Sequence, residues 1–292
     1  MTFAVFVQLM VAGLSSGSVY ALVALGLIIA FKGTGILNFA HGELVAFGAY
    51  TALFLSVYTD LPYYIVWPVT LVIAAAFGML LERALLRPMI NAPVFTIVIA
   101  TLAIGLMLKN VYRLVWQETV SSLPSPFARA TFAIGDGRIN LQYVWVIAAS
   151  LALMLLLALF FARSRLGKAM RAVAQNRDAA SLMGISTGRI YSLTFAISAG
   201  VGASAGILFA PLTGVEAEMG QIIIKGFVAA ILGGFYSLPG AVVGGIVIGL
   251  AETFGGAFFG GVFKNLTAFV LLVLILLVRP HGIFGRAEAR RV

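Results

Sequence analysis

The sequence predicts an all-α, polytopic membrane protein of about eight transmembrane helices, some of them broken or re-entrant. Three observations carry this prediction. Of 292 residues, 62% are hydrophobic and only 10% charged, a balance no ordinary soluble domain shows. Uninterrupted apolar runs repeatedly reach the roughly 18–20 residues a helix needs to cross a bilayer. The longest polar interruption, residues 163–189, carries six basic residues against one acid, Asp178. A basic loop between two spans belongs on the cytoplasmic side. Residues 1–292 read as one membrane domain with 163–189 as its cytoplasmic loop.

Composition also excludes several functions. The net charge of +9 is explained by basic cytoplasmic loops, so no nucleic-acid partner is expected. There is no cysteine, which removes disulfides, thiol catalysis and thiolate metal sites. His41 and His281 lie too far apart in sequence to suggest a metal site. The N-terminus lacks a basic leader region, and its apolar stretch is too long for a cleaved signal, so it should remain as the first span.

In chain order, residues 3–31 form an uncharged span holding Ser15, Ser16, Gly17, Ser18 and Tyr20, small polar residues suited to close helix packing or to lining a path. Residues 32–43 bring three glycines with Asn38, His41 and Glu43 ahead of a short apolar run, 44–59. That polar group sits either at the cytoplasmic interface or in an unwound segment inside the membrane. Asn38 can cap the next helix and Glu43 suits its first turn. Asp60-Leu61-Pro62 turns the chain into spans 63–81 and 94–116, and residues 117–140 form an outer loop. Span 141–162 leads to the basic loop, and 190–211 leads away from it. The stretch 226–252 is interrupted by Gly233, Gly234, Pro239 and Gly240 and reads as two half-helices, which keeps the basic C-terminus inside. With the N-terminus outside, thirteen of the 19 basic residues fall on the cytoplasmic side.

The loop 163–189 has the pattern of two short helices. Ser164 can cap the first, with Leu166, Met170 and Val173 on one face, and Asn176 the second, with Asp178 in its first turn and Gly184 as its stop. A folded, half-apolar elbow of this kind needs something to dock against. Catalytic constellations and a GxxxxGK[ST] phosphate loop are both missing from the sequence, so an ATP motor would sit on another chain.

These segments resemble the permease subunits of ABC importers for branched-chain amino acids, the LivH type. The resemblance rests on GILNFAHGE at 35–43 with Gly48-Ala49-Tyr50 after it, on Glu82-Arg83 with Arg87-Pro88, and on SRLGKAMRAVAQNRDAASLMGI. AAILGGFYSLPGAVVGGIVIGLAE and VRPHGIFGR are similar too. Asp178-Ala179-Ala180-x-x-x-Gly184 is similar to the EAA-x-x-x-G signature with which importer permeases grip their ATPases, with Asp in place of Glu. The resemblance implies a single permease domain in a bacterial inner membrane. Its partners would be a second permease of the LivM type, two ABC ATPase subunits and a periplasmic binding protein. ATP and Mg would sit on the partner subunits, with no cofactor in this chain. ATPase coupling would fall to Leu166, Gly167, Met170, Arg171, Asn176, Asp178, Ala179, Ala180 and Gly184, the Leu166–Met170–Val173 face seating in an ATPase cleft. Asn38, Phe39, His41, Gly42 and Glu43 would line or gate the substrate path. The substrate would be a branched-chain or related amino acid, with urea, amides and aromatic acids also compatible. An ion-coupled secondary transporter and a passive channel are the rivals; few membrane carboxylates speak against the first.

Overall fold

The computed structural model describes residues 2–59, 61–90, 92–116, 120–134, 137–235, 237–279 and 282–285. Asp60, His281 and the C-terminal Arg286, Arg290 and Arg291 lie outside the described residues. Four helices come first: α1 (Phe3–Thr34), α2 (His41–Tyr58), α3 (Tyr63–Leu81) and α4 (Val94–Trp116). A small antiparallel hairpin, β1 (Thr131–Ile134) and β2 (Gly137–Asn140), pairs Thr131 with Asn140. After it come α5 (Leu141–Arg163), α6 (Arg165–Gln175), α7 (Arg177–Leu182), α8 (Thr187–Thr213), α9 (Ile222–Gly233), α10 (Leu238–Phe259) and α11 (Gly261–Val278). Seven of these are long and apolar enough to span a membrane. α2, which is less apolar, and the short α9 complete the bundle, as the expectation of broken segments required.

α1 and α8 form the buried axis: 83% and 78% of their apolar windows are enclosed, against 28% or less for the other spans. α3, α4, α5 and α11 instead turn Leu, Val and Phe side chains outward, as helices bathed in lipid do. The C-terminal end of α1 packs beside α6, which defines an elbow end of the bundle and an opposite, far end. Residues 282–284 return to the elbow end, where Ile283 N–H donates to the Leu232 carbonyl and Phe284 N–H to that of Gly233.

The bundle contains one plan used twice. α1 runs toward the elbow end and is followed by an unwound segment, α2 and two longer helices. α8 runs away from the elbow end and is followed by an unwound segment, the short α9 and two long helices. Packing repeats with it: α1 lies on α10 as α8 lies on α3, and α2 lies on α8 as α9 lies on α1. The halves are thus inverted relative to each other, an arrangement recurrent among transporters.

Glycine makes the tight seams. A Cβ at Gly17 would lie 2.8 Å from the Ile246 Cα, and one at Gly245 would lie 2.5 Å from the Ala21 nitrogen. The small residues of the first span therefore serve close packing of α1 on α10. One expectation is corrected here. The 226–252 stretch is not a pair of half-helices, because its second part is the full-length α10, running on to Phe259. Pro239 stands in the first turn of α10, after the Ser237 side chain accepts from Gly240 N–H at 3.1 Å, so it begins a helix instead of breaking one.

The end of α3 is locked to α8 by a polar knot. It continues into a π-helical turn, Glu82–Leu86. The Arg87 guanidinium grips the Glu82 carboxylate through Nε (2.9 Å) and Nη2 (3.0 Å), and Nη2 also donates to the Gly188 carbonyl and Ser192 Oγ. Glu82 is 2% exposed, so losing its partner strands a buried charge. Arg87→Ala should cost about 3 kcal/mol, the low end of such deletions because Arg87 is one-third exposed. Arg87→Lys should recover only part of this, since an ammonium cannot form the two-pronged contact. Thermal unfolding of the detergent-purified protein reads both.

Candidate functional site

The two broken helices meet inside the bundle. After α1 ends, residues 36–40 turn back into the interior before α2 begins. His41 shows how deep they go: a Cβ at Gly26 would lie 2.5 Å from its Nε2, and Gly26 precedes the end of α1 by eight residues, about 12 Å. Within 32–43 the chain is therefore unwound only between the end of α1 and the start of α2, and from Ile36 onward it runs into the bundle instead of along its surface.

Each residue expected here has a definite place. Asn38 is buried, and its Oδ1 accepts from Ala40 N–H at 3.0 Å. It thus shapes the turn two residues ahead of the N-cap, a position that belongs to Ala40, which offers no side-chain oxygen. His41 is fully enclosed between α1 and α8, with Nδ1 3.3 Å from Ser198 Oγ, itself bonded to the Gly26 carbonyl. That makes it a clasp joining three helices. Gly42 lies so close to the Gly220 carbonyl that any side chain would collide with it. Glu43 stands in the first turn of α2, its carboxylate packed against Gly220, and its own carbonyl accepts from Tyr112 Oη at 2.9 Å. Phe39 is half-buried, its ring 5.9 Å from that of Phe227 on α9.

Gly220 belongs to a 3-10 turn, Ala217–Gln221, that leads into α9. The positive N-terminal ends of α2 and α9 therefore converge beside the Glu43 carboxylate. Next to them lies a charged collar. Glu218 takes Lys109 Nζ at 2.6 Å and Arg113 Nη2 at 2.7 Å from α4, and also accepts from Gln221 Nε2. A second charged group sits about one turn further along α9. Lys225 Nζ meets Glu252 Oε1 at 2.5 Å and lies 5.3 Å from the Tyr20 ring centroid, while Tyr20 Oη donates to Glu252 Oε2 at 2.8 Å. From the sequence, Lys109 and Arg113 read only as side chains near the far end of span 94–116 that can snorkel, and neither Glu218 nor Lys225 stood out. A lone lysine just ahead of a glycine-rich run gives no hint that it faces a glutamate 27 positions away.

The elbow folds as its caps predict. Ser164 Oγ accepts from Gly167 N–H at 2.8 Å and Asn176 Oδ1 from Ala179 N–H at 2.9 Å. Gly184 takes a left-handed φ of 81° and ends α7. Gly167 lets α6 touch the α5 backbone at Phe160 and Phe161. The apolar face, however, points the other way from expectation. Met170 and Val173 are 3% and 5% exposed because they pack upward onto the bundle's own underside, and Ala180 is buried with them. They cannot seat in another subunit's cleft. The outward apolar residues are Leu166, Leu182 (88% exposed) and Met183 (83%), flanked by exposed Arg171, Asn176, Asp178 and Ala179.

A bundle of inverted halves, with two helices broken where charged groups gather, defines a multi-pass membrane transport protein. Comparison with known proteins supplies the family. Residues 9–279 match the family of the branched-chain amino acid transport system permease component. The chain is 36% identical to the Escherichia coli K12 high-affinity branched-chain amino acid transport system permease protein LivH, over 99% of both chains. It is 34% identical to BraD of Pseudomonas aeruginosa, a permease protein of the same description, over 98% of both. The LivM permease of Escherichia coli K12 is more distant, 28% identical over 91% of this chain and 67% of its own length. A solved structure of PsaBC from Streptococcus pneumoniae with a Fab shares the fold, with a TM-score of 0.51 and 17% identity over 94% of this chain and 92% of that one. The chain belongs to the branched-chain amino acid transport permease family, and its role is that of an ABC-importer permease, not an ion-coupled secondary transporter.

Proposed function

We propose that this chain imports branched-chain amino acids as one of two permease subunits in the inner membrane of a bacterium. The family match across 9–279 carries this reading. The other permease is of the LivM type, whose members are recognisably related to this chain. Two ATPase subunits, holding ATP and Mg, dock on the cytoplasmic elbow, and a periplasmic protein delivers substrate at the far end. The positive charge concentrated on 163–189 supports this orientation.

Docking falls to Leu182 and Met183, large apolar side chains held in water at the tip of α7, a helix that opens with exposed Arg177. Side chains so placed act as anchors in a partner's pocket. Arg177, 5.6 Å from the Tyr191 ring centroid, and the Gly184 stop hold that tip to the start of α8, so a push on it is passed into the buried axis.

The test is reconstitution of the co-purified complex into liposomes. Two ATPases and a second permease should accompany the chain, and leucine uptake should require ATP. Leu182→Glu with Met183→Glu should reduce uptake at least about tenfold, matching the loss of roughly 2 kcal/mol at an anchor, while the chain still folds. ATP-independent uptake, or full uptake by the double variant, overturns the proposal.

A further inference from the structure

The geometry points to a route along α9 that sorts solutes by side chain: a charged collar for the amino-acid head group, then a phenylalanine-lined wall that admits apolar side chains. It rests on the importer reading above and assigns the specificity of that same site to particular residues of this chain.

Four rings form a continuous line. Phe39 lies 5.9 Å from Phe227, Phe227 5.9 Å from Phe235, and Phe235 4.9 Å from Phe31 near the elbow end of α1. All four are partly buried, each keeping some exposure. They continue a stripe on α9 that begins with exposed Gln221 and Ile224, positions one turn apart on one helical face. The upper end of the stripe is the collar of Glu218, Lys109 and Arg113.

Lipid is excluded as the medium along this stripe by its polar end. Lys109 stands seven residues inside the far end of α4, about 10 Å, and Gln221 is exposed at the junction of the two broken helices. Faces that meet lipid elsewhere in the chain are lined by residues such as Leu106, Leu155 and Leu277. Charged and amide groups at such depth face the bundle interior or a watery path, not lipid.

The chemistry of the route fits one ligand class. A zwitterion carries both signs, and the collar presents a carboxylate with two cations and an amide. Below it the aromatic wall offers no hydrogen-bond partner, so a hydroxyl or amide side chain loses about 1–3 kcal/mol on passing, whereas a branched alkyl group loses nothing. Selection of apolar amino acids is therefore built into the membrane chain as well as into any delivering protein.

Because the chain has no cysteine, Ile224→Cys and Phe227→Cys each place a single thiol on the route, and Leu155→Cys places one toward lipid. A membrane-impermeant cationic methanethiosulfonate, added to the complex in open membrane fragments, should label 224 and 227 at least about tenfold faster than 155, since a thiol in hydrocarbon does not ionise. Equally slow labelling at all three positions overturns the lining. Phe227→Ser should lower leucine uptake per ATP about tenfold and Phe227→Leu should preserve it; unchanged uptake by Phe227→Ser overturns the selection. Labelling needs no ATP-driven uptake, so a complex that labels as expected but fails to import would refute the importer reading and leave the lining in place.

Discussion

Gly245→Val should leave no folded protein. The added Cβ would stand 2.5 Å from the nitrogen and 2.7 Å from the Cα of Ala21, and backbone atoms in a helix cannot step aside as a side chain can. α10 would have to move off α1 along the whole seam, where Gly249 and Gly17 also touch backbone to backbone. Overpacking in ordinary cores costs about 1–3 kcal/mol; here the loss should reach or pass the upper figure, because separation of the helices forfeits the seam itself. Gly200→Ala is the control, since a Cβ there meets no atom within 4 Å. Size-exclusion profiles of tagged protein in mild detergent should show a monodisperse peak for Gly200→Ala and none for Gly245→Val. A normal peak for Gly245→Val would mean the seam is looser than described.

The buried pair on α9 and α10 gives the second large effect. Glu252 is 1% exposed, and Lys225→Met would leave its carboxylate with Tyr20 alone. A buried charge deprived of its counter-charge costs roughly 3–5 kcal/mol. Adding Glu252→Gln to Lys225→Met removes the stranded charge, so the double variant should be more stable than the Lys225→Met single variant. Thermal unfolding of the four members of the cycle measures this. Additive losses would show that Lys225 and Glu252 do not depend on each other.

Much of the architecture was legible because it is local. Ser164 and Asn176 announce caps by residue type and position, and both accept the backbone N–H groups expected of them. Long apolar runs announce spans for the same reason. What stayed hidden depends on neighbours remote in sequence. The Met170–Val173 face shows that α6 has an apolar side, but not whether it packs on its own bundle or on a partner. GxxxG spacing at Gly245 and Gly249 signals a close approach without saying that α1 makes it. α9, twelve residues long, is too short to stand out as a span, and it merged with α10 into one apparent stretch. The charges at Glu218, Lys109 and Arg113 look like loop and helix-end residues until α4 and the 3-10 turn are brought together.

The tight glycine seams also have a mechanical meaning. α1 with α10 and α8 with α3 behave as stiff spars, since helices in backbone contact cannot slide without collision. Compliance is left to the places where the helices are unwound, at 36–40 and 214–221. On the docking proposed above, a thrust delivered at the tip of α7 would be taken up at these unwound segments, which meet beside Glu43. If the solute also passes there, load-path and cargo-path would cross at one point, and the stroke would itself open the way.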